Sequence, residues 1–168
     1  AGEIGMNLNL YYYQGKWLMV DLGIGFADDN MPGIDILVPN PEGFLPYKDN
    51  LIGLVITHAH EDHLGAVQYL WEVFQMPIYT TKFTANFLRA KLAEYPFAKK
   101  VKIIEVEPNS SFDIKPFEIE LMQLNHSVPE MNALILHTEQ GKILHTGDWK
   151  FDINPVIGKP DDYKELKK

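Results

Sequence analysis

Residues 58–63 read His-Ala-His-Glu-Asp-His, placing three imidazoles and two carboxylates in six positions. The chain has no cysteine. Disulfide staples and thiolate ligands are therefore excluded, and any metal must be held by histidine and carboxylate. The spacing suits that chemistry. An apolar stretch resembling a buried strand precedes the cluster, so His58 and His60 project alike from a short extended run. Asp62 and His63 then turn back toward the same point as a helix opens, in the first turn where free N–H groups favour a carboxylate. Two ligand sets a few ångströms apart can hold and activate a water in a two-metal hydrolytic site. A lone histidine is usually a satisfied polar residue or surface decoration, but that account handles three in six residues badly.

Two metals need further ligands. His126 in "LNHSVPE" directly follows a strand pattern, and Asp148 in "LHTGDWK" follows another, past the permissive Gly147. A carboxylate can bridge two cations, the role expected of Asp148, although "TGD" is also common turn chemistry. Asp21 ends an apolar strand and is expected to orient a ligand imidazole or support the 58–63 loop; a plain turn residue is the alternative. Ser127 is a candidate phosphate contact. His145, three residues before Asp148, is a candidate support residue with a structural role as the alternative, and His137 reads as an ordinary sheet residue. Glu61, between ligands, is expected to point away and pair with a neighbouring cation or backbone group.

The elements that must position these residues are legible as patterns. "MNLNLYYYQGKWLMVDLG" reads as a β-hairpin about Gln14-Gly15. Residues 26–50 are mostly irregular, with four prolines and a possible short strand at "IDILV". Leu54 to Thr57 is a compact buried strand, and Gly65 to Phe74 suits a helix with Leu64, Val67, Leu70, Trp71 and Phe74 at 3–4 spacing. "PIYT", "TKFTANFLRAKLAEY" and "VKIIEVE" then read strand, helix, strand, before β-prone segments about a Glu139-Gln140-Gly141 turn. Hairpins thus flank βαβ units, predicting one domain with helices against a mixed or mostly antiparallel sheet. Trp71, Phe74, Phe87 and Tyr95 are expected in the core.

With 168 residues, 46% of them apolar, a folded domain is the default. No apolar run reaches the ~18 residues of a membrane span, and no signal-peptide pattern opens the chain, so no membrane partner and a cytoplasmic location are expected. A formal net charge of −8 gives the chain no overall electrostatic claim on nucleic acid. The chain opens on Ala1 and closes on "IGKPDDYKELKK", which reads as the start of a helix, so a piece of a longer protein is expected.

THAHEDH, LNHS and HTGDWKFD, with "GEIGMN", "MVDLGIGF" and "MPGIDILVPN" before them, resemble the metallo-β-lactamase superfamily. More narrowly, they are similar to the bacterial ribonuclease J family of the β-CASP RNA-processing group, over nearly the whole chain. The resemblance implies an α/β fold, the αββα sandwich, with residues 1–168 its N-terminal portion. The β-CASP insertion, the returning half of the fold and a C-terminal domain would lie outside it. It implies one Zn2+ on His58, His60 and His126, and a second on Asp62 and His63, with Asp148 bridging and a late histidine completing the set. The activity implied is a zinc-dependent ribonuclease, both 5′-exonuclease and endonuclease, hydrolysing RNA phosphodiesters with a metal-bridging hydroxide. Asp62 and Asp148 would be the catalytic carboxylates. Composition alone does not choose RNA over a small thioester, lactone or lactam, and a non-catalytic interaction module also stays open. By itself the chain is expected to hold metal partially or not at all, to have little ribonuclease activity, and to form a homo-oligomer through uncovered apolar surface.

Overall fold

The structure, a computed structural model, describes residues 5–150, 152–157 and 160. Strands β1 (Asn9–Tyr13) and β2 (Lys16–Val20) form the expected hairpin. Gln14 and Gly15 turn the chain with φ of 46° and 78°, the left-handed pair that suits a two-residue connection. A two-residue ribbon of β3 (Gly25–Phe26) and β4 (Ile36–Leu37) follows in the proline-rich stretch. The buried strand β5 (Leu51–Val55) begins earlier than its apolar pattern suggests and ends before Thr57. After it come α1 (Glu61–Leu64), α2 (Val67–Phe74), β6 (Ile78–Thr80), α3 (Lys82–Leu92) and β7 (Ile103–Glu105). Strands β2, β5, β6 and β7 are parallel, giving a sheet ordered β1-β2-β5-β6-β7. Parallel neighbours require crossovers, which the segments carrying α2 and α3 supply.

The remaining strands do not join that sheet. β8 (Ser111–Ile114), β9 (Phe117–Gln123), β10 (Asn132–Thr138) and β11 (Gly141–His145) make a separate antiparallel sheet ordered β11-β10-β9-β8. Side chains alternate across the first sheet with the strand period of two. Leu18, Val20 and Val55 pack between the sheets with Phe117, Ile119, Leu121, Leu134 and Leu136. Met19, Leu54 and Ile56 face the other way, into a core with Leu70, Trp71, Phe74 and Leu88 of the helices. Among the described residues the layers run helix, sheet, sheet. The single sheet suggested by the strand pattern is thus corrected to two, as the sandwich implies. Residues 161–168, where the start of a helix is expected, lie outside the described residues.

Two further expectations change. The helix expected over 65–74 begins two residues later, as α2 at Val67, and a separate short helix, α1, precedes it and ends at Leu64. Backbone carbonyls explain the break. Those of Glu61, Asp62 and His63 accept from Ile24, Asn7 and Leu22, while the N–H of Ala66 donates to the Leu22 carbonyl. Those contacts hold residues 61–66 against the end of β2 and leave no continuous ladder into α2. Phe87 is not in the core; it is 42% exposed, on a face of α3 turned from the sheet, whereas Trp71 and Phe74 are buried as expected.

The topology delivers the site. Parallel β2 and β5 are neighbours, so Asp21 and the 57–63 segment leave the sheet at the same end. Because β9 and β11 both run antiparallel to β10, His126 and Asp148 also leave their sheet at one end. The Asn132 N–H donates to the Thr57 carbonyl at 3.2 Å, joining the two sheets there. The Lys150 N–H donates to the Asn125 carbonyl at 2.7 Å, drawing the loop of Asp148 toward that of His126.

Candidate metal centre

His58, His60 and His126 face one another. His58 Nε2 lies 3.0 Å from His60 Nδ1, and His126 Nε2 lies 3.1 Å from the same atom. Three imidazole nitrogens bound to one tetrahedral zinc would stand about 3.3 Å apart, from Zn–N bonds of ~2.0–2.1 Å. The donor spacing therefore fits a cation of that size. A second group contains His58, His63 and Asp148, and in each group the donor atoms lie within 4.8 Å of one another. Asp62 stands beside it, with its Oδ2 3.5 Å from His63 Nε2, while Asp148 Oδ2 is 3.4 Å from that nitrogen. His58 belongs to both groups, so the two share a wall.

The ring orientations are set from behind. Asp21, wholly buried and at φ 60°, accepts the Thr57 N–H at 2.8 Å and the Thr57 hydroxyl at 3.0 Å. Its Oδ2 also accepts from His63 Nδ1 at 2.7 Å, which turns His63 Nε2 toward the second group. An aspartate is among the few residues other than glycine that tolerate such a φ. Thr57 Oγ1 lies 2.9 Å from His58 Nδ1, so a proton on Nδ1 leaves the Nε2 lone pair free. Burial, then the neighbouring rings of His63, His60 and His126, pushes the His58 pKa down to about 2. His58 is accordingly a neutral donor at physiological pH. Burial works against charge on His63 too, but the Asp21 hydrogen bond and charge, with Asp62 and Asp148, outweigh it and lift its pKa to about 9. His126 is lowered by burial and by His60.

Two residues in this support are new relative to the sequence reading. The sequence pattern places Thr57 only at the end of a strand, and Asn7 only within the hairpin segment. Asn7 instead holds residue 62: its backbone N–H donates to the Asp62 carbonyl at 2.9 Å. Its amide Nδ2 lies 3.1 Å from that carbonyl and 3.3 Å from Asp62 Oδ2. The only signal in the sequence is the local "GEIGMN" motif; nothing in strand periodicity marks Asn7. Close approach of backbones makes this possible, because Gly23 lies against the Asp62 peptide with no room for a side chain.

The remaining candidates fall as follows. Ser127 is at the site, its hydroxyl 3.3 Å from His60 Nε2, so it contacts the back of a donor ring. His145 is half-buried beside Asp21, at 4.0 Å, and bonds Tyr11 rather than facing the donor groups. His137 pairs across the sheet with Glu120 at 2.9 Å, well removed in role. Glu61 turns outward to accept from Lys91 Nζ at 2.8 Å.

Asp21→Asn is expected to weaken cation binding at the second group by about 10–100-fold, the usual effect of losing a ligand's outer partner. Asparagine keeps the size and tolerates the φ, but its NH2 must face a donor from Thr57 or His63, a cost of about 1–3 kcal/mol. Chelator-competition titration and denaturant unfolding measure the two effects. Unchanged affinity would show that His63 needs no such orientation.

Fold and site together define the class. The chain belongs to the metallo-beta-lactamase superfamily, which it matches across residues 7–165. Within it, the sequence is similar to ribonuclease J of Sinorhizobium meliloti, 39% identical over 171 residues, which is 99% of this chain and 30% of that protein. Ribonuclease J 1 of Streptococcus pyogenes is 36% identical over 165 residues, 98% of this chain and 29% of that protein. The chain therefore spans less than a third of these curated relatives. In fold it is similar to the metallo-beta-lactamase fold protein YhfI of Bacillus subtilis, with a TM-score of 0.65 and 20% identity, over 88% of this chain and 56% of that one. The Rm3 metallo-beta-lactamase gives 0.56 at 15% identity, over 83% and 53%. Among the described residues no helix is long and apolar enough to cross a membrane.

Proposed function

We propose that this chain supplies the metal-holding part of a zinc-dependent ribonuclease, as the N-terminal portion of a longer metallo-β-lactamase-like domain. The observation that carries the reading is the meeting of two donor groups through His58, in a chain 39% identical to a ribonuclease J. His58, His60 and His126 are assigned to one cation; Asp62 and His63 to the other, with Asp148 between. A donor set dominated by imidazole, with no thiolate, suits zinc. Bound there, the cations would supply Lewis acidity and an acidified water for attack on phosphorus.

The chain's own residues do the rest. Asp62, tethered by Asn7, is placed to orient that water or take its proton. Asp21 takes the Nδ1–H of His63, leaving Nε2 as the atom that would meet a cation, and Ser127 lies at the rim beside His60, open to a phosphate oxygen. RNA is assigned as substrate, cut from the 5′ end and internally, and the cytoplasm as the place of that work. The grip on RNA is assigned to parts of the longer protein, given the net charge of −8 here. The 168 residues alone are expected to be nearly inactive and partly metal-loaded. Self-association belongs to the same reading: edge strand β11 exposes Ile143 and Leu144, 41% and 46% accessible.

The full-length protein, given labelled 5′-monophosphorylated RNA alongside β-lactam, thioester and lactone substrates, is expected to cleave RNA alone. His60→Ala should lower that rate by more than about 100-fold, because even outer partners of a ligand are worth about 10–100-fold. Turnover of a small ester or lactam with RNA left intact would overturn the assignment.

A further inference from the structure

We propose that His145 is a positioning residue for the second donor group, tying the strand that leads to Asp148 to the carboxylate that orients His63; this rests on the metal-holding reading above. His145 is the last residue of β11, three before Asp148. Its Nδ1 lies 2.9 Å from the Tyr11 hydroxyl of β1, and the two rings meet edge to face. Its Nε2 is buried with no hydrogen-bond partner, 4.0 Å from Asp21 Oδ2. A buried polar atom without a partner calls for a physical reason.

The reason lies in what surrounds the ring. The Tyr11 hydroxyl can donate to Nδ1, which leaves the ring proton on Nε2, directed at the Asp21 carboxylate. The opposite tautomer would aim a lone pair at a buried anion and is disfavoured by that charge. At 4.0 Å the contact is too long for a hydrogen bond. It is still an attraction between an N–H dipole and a buried carboxylate. Tyr11 and Asp21 belong to the first sheet and its hairpin, whereas His145 belongs to the second sheet. The chain Tyr11–His145–Asp21–His63 therefore crosses the seam between the sheets directly behind the second donor group. Among the described residues, His60 and His126 make no hydrogen bond to it, and His58 reaches Asp21 by hydrogen bonds only through Thr57. The consequence is selectivity: disturbing the tie should affect the group containing His63 and Asp148 and spare the three-histidine group.

Zn2+ titration of the full-length protein against a chromophoric chelator tests this, with Tyr11→Phe, His145→Leu and His145→Gln compared with wild type. Wild type is expected to show two classes of site. Tyr11→Phe and His145→Leu should weaken one class by about tenfold and leave the other within about twofold, the scale of a lost outer partner. His145→Gln, whose amide N–H can face Asp21, should recover most of the loss. Co2+ provides the second readout, since the absorption bands of the affected site should shift in Tyr11→Phe while those of the three-histidine site stay fixed. Equal weakening of both classes, or no change in either, would overturn the proposal. If His145→Leu fails to fold, Tyr11→Phe decides, because it keeps the ring and removes one hydroxyl. Wild type that binds no Zn2+ would overturn the metal-holding reading and this proposal with it; two classes with indifferent variants would overturn the proposal alone.

Discussion

Replacing Gly23 with alanine is expected to destabilise the protein by about 4 kcal/mol or more, a magnitude reserved for steric or polar failures in a core. A Cβ at this position would sit 1.7 Å from the Asp62 carbonyl oxygen, 2.0 Å from its carbon and 2.6 Å from the His63 nitrogen. All three are backbone atoms, so no rotamer change relieves the clash. The segments must move apart by more than an ångström, and they are held together by short bonds. Gly23 N–H donates to the Asn7 carbonyl at 2.9 Å, Leu22 N–H to His63 at 2.7 Å and Ile24 N–H to Glu61 at 3.0 Å. Each such bond is worth about 0.5–1.5 kcal/mol, and more if a buried group is left unpaired.

The same displacement carries Asp62 and His63 away from Asp148, so metal capacity should fall with stability. Gly15→Ala is the control: its φ of 78° is also left-handed, but nothing lies within 4 Å of its added Cβ. It should cost only about 1–2 kcal/mol. Denaturant unfolding of both variants and of wild type measures the contrast. If Gly23→Ala matches Gly15→Ala, the packing of the strand-end loop on residue 62 is not what holds the site together.

The second large effect is expected at His58. His58→Gln should reduce zinc retention at the three-histidine group by more than about 100-fold, since a ligand matters at least as much as the outer partners worth about 10–100-fold, and should also disturb the second group, which its ring lines. His126→Gln should affect the three-histidine group alone, and His137→Gln, paired with Glu120 on the sheet, neither. The distinction follows from geometry, because His58 is the one residue within both sets of donor atoms. It also follows from chemistry: the ring is buried and kept neutral with its pKa near 2, so it is ready to donate without first losing a proton. Metal analysis after dialysis gives the stoichiometry. A thermal scan with excess zinc gives the affinity, as ligand at about 1,000 times its Kd stabilises a folded protein by about 4 kcal/mol. His58→Gln should lose most of that stabilisation. A variant that still binds two zinc ions tightly would show that His58 is not a ligand.

What the sequence determined by itself was the donor chemistry. Three histidines and Asp62 lie within six residues at a strand-to-helix junction, so local backbone geometry alone confines them to one neighbourhood. His126 and Asp148 were also readable, because each follows an apolar strand at the end where such strands release their loops. Asp21 was readable for the same reason, although its exact partners were not. The strands themselves were visible from alternating or continuous apolar runs.

Tertiary structure decided the rest. A short apolar run announces a strand but not its neighbour, so only the folded chain separates a five-stranded sheet from a four-stranded one. The helix after the cluster looked continuous because its apolar spacing is continuous. It breaks because N–H groups from residues 7, 22 and 24, distant in sequence, claim the carbonyls of residues 61–63. Those same contacts make Asn7 a support for Asp62 and require glycine at position 23, neither of which periodicity can reveal. Phe87 fails as a core residue because helical spacing gives the direction of a side chain and not what stands opposite it. Thr57 and His145 acquire their roles only from Asp21, a buried charge that orders whichever donors the fold brings within reach. Residue types set which chemistry was available, and long-range backbone pairing set which atoms could perform it.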